Sequence, residues 1–114
     1  MPVAATADGT LVTLHVEGAI DSHFGTALLA ATATALGNGA RRVLVNLQKA
    51  KQANSVGLQA MVQVARQVNG QGARIALVGP PPHLLDILKA TRLERRFAVF
   101  DSTEQALRNL RLET

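Results

Sequence analysis

The chain has 114 residues and a formal net charge of +4, and 47% of its residues are apolar, although it contains only three Phe and no Tyr, Trp or Cys. This length suits a single domain over residues 1–114, and the apolar fraction is too high for a disordered chain. Because cysteine is absent, disulfides, thiolate zinc sites and thiol nucleophiles are excluded.

The first predicted element is a β-strand over residues 11–16, where Leu-Val-Thr-Leu-His-Val combines strand propensity with partial alternation of apolar and polar side chains. This strand is expected to end at Glu17 and Gly18. Upstream, residues 1–9 are expected to form either a short strand, around residues 3–6, or a flexible N-terminus.

An amphipathic helix is predicted next, because apolar residues recur at spacings that place them on one helical face. Asp21 or Ser22 is the expected N-cap, since a short polar side chain there can accept a hydrogen bond from the first turn. The helix is expected to end at residues 37–39, Gly-Asn-Gly.

A second strand and helix occupy the centre of the chain. Residues 42–47 are apolar on both faces at their middle, which is typical of a strand in a parallel sheet. Residues 48–54 are polar and predict a loop, and residues 55–68 predict an amphipathic helix. The apolar stripe of that helix is Leu58, Met61, Val62, Ala65 and Val68.

The rest of the chain continues the alternation of strand and helix. Residues 75–78 and 97–100 predict two short strands. A third helix starts at the prolines of residues 80–82, and a fourth is capped by residues 101–103. This order predicts an α/β fold, with a mostly parallel or mixed sheet of four to five strands and about four helices.

Charge is unevenly distributed along the chain. Residues 22–85 contain no Asp or Glu but six Lys and Arg, which can form a surface attractive to an acidic protein or to nucleic acid. The basic residues are dispersed and lack neighbouring aromatics for base stacking, so direct nucleic-acid binding is not expected. No apolar run reaches the ~18 residues of a membrane span, and no signal peptide is evident, which favours a cytoplasmic protein without membrane insertion.

The sequence offers little material for catalysis. His15, His23 and His83 fall in different segments, and none has a second histidine at metal-ligand spacing, so no metal or other cofactor is expected. Asp21 is the one acid at a strand-to-helix turn, where a capping role accounts for it. A small α/β enzyme or nucleotide-binding protein is therefore the least supported function.

The turn from Gln48 to Leu58 is the most unusual part of the chain, because it is polar and basic and ends in Asn54-Ser55-x-Gly57 at a helix start. Two interpretations of Ser55 stay open. It can be the N-cap of the helix. Alternatively, its hydroxyl stands exposed at the positive end of the helix, where a phosphate would meet free N–H groups and add roughly −1.5 to −2 charge.

The order and spacing of several segments resemble the STAS domain family, named for sulphate transporters and anti-sigma factor antagonists, over residues 11–110. The likeness is strongest to the small free-standing antagonists, whose hallmark is Asp-Ser-Ser/Thr-Gly-Leu. The matching segments are Leu14-His15-Val16-Glu17-Gly18-Ala19-Ile20-Asp21, Val43-Leu44-Val45-Asn46-Leu47, Asn54-Ser55-Val56-Gly57-Leu58, Gly72-Ala73-Arg74-Ile75-Ala76-Leu77-Val78 and Leu88-Lys89-Ala90-Thr91-Arg92-Leu93.

The resemblance implies a bacterial partner switch that regulates transcription. Ser55 aligns with the serine that is phosphorylated in the family. The unphosphorylated protein would bind an anti-sigma factor that is also a serine kinase, and would thereby free a sigma factor. Phosphorylation would dissociate the complex, and a PP2C-type phosphatase would reset it. The chain would then be a binding module and kinase substrate, not an enzyme, and a monomer or weak dimer.

Three residues depart from the family pattern. Asn54 stands where the hallmark has Asp, Val56 where it has Ser or Thr, and Arg92 where a later motif has Gly. Asn54 keeps the capping capacity of Asp but loses its charge, which would slow phosphoryl transfer if the carboxylate orients the hydroxyl or a metal. An alternative therefore stays open: a constitutive STAS adaptor subunit of a lipid-transport or stress-sensing complex, in which Ser55 is only a cap.

The predicted docking surface combines the first strand-to-helix turn with the hallmark and the helix that follows it. Its members are Asp21, Ser22, His23, Asn54, Ser55, Val56, Gly57, Leu58, Gln59 and Met61.

Overall fold

The computed structural model describes residues 3–90, 92 and 97–112, without the side chains of Gln52, Ser55 and residues 110–112. Strands and helices alternate along these residues after an initial pair of strands. The elements are β1 (Val3–Asp8), β2 (Leu11–Ile20), α1 (Ser22–Gly37), β3 (Arg42–Ala53), α2 (Ser55–Gly70), β4 (Arg74–Val78), α3 (Pro82–Ala90), β5 (Ala98–Phe100) and α4 (Thr103–Leu112).

The five strands form one mixed sheet in which the spatial order equals the chain order. β1 pairs antiparallel with β2, and β2, β3, β4 and β5 run parallel. Parallel neighbours need a crossover connection, which α1, α2 and α3 supply in turn. The sheet and the four helices of the described residues confirm the predicted α/β fold class, and Val3–Asp8 form a strand, β1.

Apolar cores lie on both faces of the sheet, because successive side chains of a strand point to opposite faces. The larger core receives Phe24 from α1, Met61 from α2 and Leu84 from α3. Leu44 of β3 faces the smaller core, which also contains Ala106 of α4. The first three helices therefore pack on one face of the sheet and α4 packs on the other.

The prediction of a polar loop over residues 48–54 was wrong, because β3 continues to Ala53. β2 also runs beyond its predicted end, to Ile20, and the two extensions pair with each other. Lys49 lies opposite Glu17 and Ala53 opposite Ile20, with two register shifts in this part of the ladder. Backbone pairing with a neighbouring strand overrides the low strand propensity of these polar residues.

Candidate functional site

The N-termini of α1 and α2 have the same cap geometry. Asp21 is the N-cap of α1, and its Oδ1 accepts a hydrogen bond from the N–H of Phe24 at 3.1 Å. Asn54 is the N-cap of α2, and its Oδ1 accepts from the N–H of Gly57 at 3.0 Å. Each cap satisfies one of the four N–H groups that a helix start leaves without an intrahelical acceptor.

Ser55 is not the N-cap of α2, which settles one of the alternatives left open by the sequence. The amide oxygen of Asn54 already reaches the third N–H of the helix, so Ser55 is the first residue inside it. Ser22 likewise follows its cap and is the first residue of α1. The side chain of Ser55 lies outside the described residues, whereas the position of its backbone is described.

The two helix starts are joined through Ile20, the last residue of β2. Its carbonyl oxygen accepts a hydrogen bond from the N–H of Asn54 at 3.0 Å. The same carbonyl lies against Gly57, where a Cβ would overlap it. Farther along, a Cβ on Gly25 of α1 would lie 2.7 Å from the Cβ of Ala60 of α2. These close approaches hold the starts of α1 and α2 side by side.

Most of the predicted docking surface is open to solvent. Val56 is 52% exposed, which makes it the one large apolar side chain so exposed among the described residues. Asp21 and Leu58 are half-buried, and Gly57 is buried against Ile20. The remaining exposed members are Ser22, His23, Asn54 and Gln59.

Met61 does not lie on the docking surface as predicted. Its side chain is 1% exposed and packs in the larger core. Met61 follows Leu58 by three residues and therefore shares the inward face of α2, whereas Gln59 points outward. Helical periodicity thus removes Met61 from the set of residues that a partner can touch.

The surroundings of these helix starts favour an anion. Neither α1 nor α2 has an acidic residue in its first turn. Lys49 and Lys51 are exposed near the end of β3, a few residues before Ser55. A helix N-terminus contributes roughly half a positive charge of its own. Asp21, the N-cap of α1, brings one half-buried carboxylate to this surface.

Within the described residues, no group of three or more His, Cys, Asp or Glu is arranged to hold a metal ion. The Nε2 of His15 lies 3.2 Å from the Oγ1 of Thr6 on two adjacent strands. In the same part of the chain, no helix is long and apolar enough to cross a membrane.

A groove of about 950 Å³, not predicted from the sequence, lies between β1 and α1. A signal for it was present, because α1 contains no Asp, Glu, Lys or Arg although several of its residues are exposed. The residues that line the groove come from two separate elements, so no single segment of the sequence predicts the groove.

Comparison with known proteins agrees with this architecture. The family model described as "Mlab, STAS domain" matches residues 3–107. No curated protein sequence matches the chain.

Several solved structures share the fold. SpoIIAA of Bacillus, an anti-sigma factor antagonist in its unphosphorylated form, is 20% identical with a TM-score of 0.76, covering 96% of this chain and 97% of that one. An anti-sigma factor antagonist from Mycobacterium paratuberculosis is 18% identical with a TM-score of 0.83, covering 96% and 92%. A sulfate transporter family protein from Wolinella succinogenes is 14% identical with a TM-score of 0.81, covering 96% and 93%. At these identities the likeness establishes the fold.

Proposed function

The chain belongs to the STAS domain family, and from this membership we propose that it is an anti-sigma factor antagonist. In this function its unphosphorylated form binds an anti-sigma factor that is also a serine kinase, and so frees a sigma factor. The fold shared with two antagonists supports the proposal, as does the open surface at the starts of α1 and α2. The chain then acts in the cytoplasm as one domain, a binding module and kinase substrate rather than an enzyme.

Phosphorylation of Ser55 is the proposed switch that ends binding. The observation that carries it is the hydrogen bond from the N–H of Gly57 to Asn54 Oδ1, which leaves Ser55 without a capping role at the first helical position. A phosphate at that position meets free N–H groups and the positive end of α2.

A solved relative supports the compatibility of this fold with phosphorylation. SpoIIAA is known in unphosphorylated and phosphorylated forms, and these match the present chain with TM-scores of 0.76 and 0.75. Phosphorylation of that protein therefore leaves the common fold in place. A switch at Ser55 needs no refolding, only a change of surface charge.

The phosphate is expected to act by electrostatic repulsion. It adds roughly −1.5 to −2 charge to a turn that Lys49 and Lys51 precede along the chain. A partner with acidic groups opposite those lysines binds the unmodified surface and is repelled by the modified one. Removal of the phosphate by a PP2C-type phosphatase restores docking.

Val56 supplies the apolar part of the proposed contact. It is 52% exposed beside Ser55 and projects from the first turn of α2. Burial of such a side chain at the centre of an interface contributes to affinity, while the surrounding polar residues exclude water.

Binding of variants to the anti-sigma factor tests the proposal. Ser55→Asp should weaken binding by roughly tenfold or more relative to Ser55→Ala, because a charge is placed in the contact. Thr103→Asp is the matched control, since it adds the same charge at the first residue of α4 on the other face of the sheet. Equal binding by Ser55→Asp and Ser55→Ala would contradict a charge switch.

A kinase assay tests the modification itself. Incubation of the protein with the cognate kinase and ATP should add the mass of one phosphoryl group, and Ser55→Ala should abolish that gain. A gain that survives Ser55→Ala would assign the modification to another residue.

Two residues favour a second candidate, a constitutive STAS adaptor of a lipid-transport or stress-sensing complex. Asn54 lacks the charge of the hallmark Asp, and Val56 lacks its neighbouring hydroxyl. The fold shared with a sulfate transporter family protein is compatible with such a role. Binding to the partner that is indifferent to ATP and kinase activity, with no mass gain, supports the adaptor over the switch.

A further inference from the structure

The groove between β1 and α1 is lined by small, mostly apolar residues. Eight of its fifteen lining residues are alanines, and none is Asp, Glu, Lys or Arg. On the helix side, the exposed members include Thr26, Ala30 and Thr34, which follow one another at helical spacing. A solvated helix face is normally rich in charge, so an exposed helix face without any charged residue is unusual for one that meets only water.

The strand beside the groove has an open edge. β1 is the outermost strand and pairs with β2 alone among the described residues. Its sequence, VAATAD, carries a charge only at its last residue and contains neither Lys nor Pro, and its pairing with β2 shows no bulge. Proteins usually protect an edge strand with lysine, proline or a bulge, because the free N–H and C=O groups of an edge can pair with another strand. The opposite edge, β5, has only three residues.

We propose that the face formed by β1 and α1 binds a second copy of this chain. The two β1 strands pair antiparallel about a two-fold axis, which extends the sheet from one subunit into the other. Such an axis makes the interface self-complementary, so the same patch serves both copies. The two α1 helices then lie beside each other above the paired strands.

The usual distances between paired strands and between packed helices are compatible with this dimer. α1 contacts both β1 and β2 and so lies over the gap between them. With strands about 4.8 Å apart, two helices placed over the gaps on either side of a β1–β1 pair are separated by roughly 10 Å. Packed helices lie about 8–10 Å apart, and small side chains permit such an approach. The alanines and threonines of α1 are therefore of the size that the contact requires.

The area of the face is enough for a weak dimer of this chain, and no charge within the groove opposes it. Two copies of net charge +4 repel each other in general, but the groove carries none of these charges. A 16-residue helix is about 24 Å long, and a patch of this length across the helix and strand layers covers roughly 500 Å² on each copy. Two such patches give about 1,000 Å², the lower limit for a specific interface.

The dimer face borders the docking surface at one residue. His23 lines the groove and is also an exposed member of the predicted docking surface. The proposal does not depend on the antagonist function, since it follows from β1 and the groove alone. If the chain both forms this dimer and acts as an antagonist, a bound partner and a second copy compete for the space around His23.

Sedimentation of two matched variants tests the proposal. Ala30 and Ala33 are both exposed on α1, but only Ala30 lines the groove. Wild-type protein should show a concentration-dependent dimer below about 1 mM, and Ala30→Glu should weaken it roughly tenfold or more, because glutamates from both copies meet near the axis. Ala33→Glu should dimerise like the wild type.

A cross-linking measurement gives a second, independent test. The chain has no cysteine, so a single introduced thiol reports one contact. Ala30 is near the middle of α1 and so near the proposed axis. Ala30→Cys should form an intermolecular disulfide on mild oxidation, and Ala33→Cys should form much less. Wild-type protein that stays monomeric at about 1 mM, or equal effects at the two positions, overturns the proposal and leaves the groove to another occupant.

Discussion

Gly57 lies against the backbone carbonyl of Ile20 so closely that a Cβ on residue 57 would overlap the carbonyl oxygen. The contact joins the first turn of α2 to the end of β2. It explains why the position is glycine on steric grounds, because a helix start can approach a neighbouring strand end this closely only without a side chain.

Gly57→Ala should therefore destabilise the protein. The overlap is with backbone rather than with a movable side chain, so α2 must shift, at a cost of about 2 kcal/mol in the free energy of unfolding. Urea denaturation measures the loss. Gly70→Ala, in the last turn of the same helix with nothing near its absent Cβ, should be neutral or slightly stabilising. A Gly57→Ala variant as stable as Gly70→Ala would contradict the close contact.

Substitutions of Asn54 separate its capping role from its charge. Asn54→Ala removes the acceptor for the N–H of Gly57 and should cost about 1 kcal/mol of stability. Asn54→Asp keeps the acceptor and adds a favourable charge at a helix start, so its stability should equal or exceed that of the wild type. In the kinase assay, Asn54→Asp should accelerate phosphorylation of Ser55 if the hallmark carboxylate orients the hydroxyl. An unchanged rate would show that the kinase does not use that carboxylate.

Thr32→Val should stabilise the protein by about 1 kcal/mol, because it removes a buried hydroxyl without a partner. Thr32 of α1 is fully buried, and its Oγ1 makes no hydrogen bond among the described residues. Valine has nearly the same shape. Thr34→Val is the control, since the Thr34 hydroxyl is exposed and donates to the carbonyl of Ala30 at 3.0 Å. A loss of stability in Thr32→Val would show that the hydroxyl has a partner such as a buried water.

Arg92→Gly should also raise the free energy of unfolding, by about 1 kcal/mol. Arg92 has a φ of 61°, in the left-handed region that glycine adopts without strain, and its N–H donates to the carbonyl of Lys89 after the end of α3. Thermal unfolding monitored by circular dichroism measures the gain. Arg92→Ala keeps a Cβ and should show no comparable gain, so equal effects would assign the change to the lost guanidinium rather than to the backbone.

Local sequence signals were sufficient for much of the fold and for the framework of the site. The short polar residue before each apolar helical stripe identified the starts of α1 and α2, and Asp21 is one of the two caps that the sequence offered for α1. In the last of the family-like segments, Arg92 stands where the family has glycine. Because Arg92 has a positive φ, this difference from the family strains the backbone.

The remaining features depend on contacts between distant segments. Residues 48–53 become strand because the end of β2 pairs with them, and polar composition gives no sign of that partner. Met61 was assigned with Gln59 to the exposed face of the helix that follows the hallmark, although its place in the apolar stripe turns it into the core. The hydrogen bond from Asn54 to Ile20 joins two elements that sequence periodicity treats separately.

That hydrogen bond has a kinetic consequence. The contacts of Ile20 hold the starts of α1 and α2 against the sheet before a partner binds. Binding therefore orders few loop residues and costs the chain little conformational entropy. We therefore expect diffusion and electrostatic attraction, rather than a slow conformational change, to limit the association rate. The association rate should then fall as ionic strength rises.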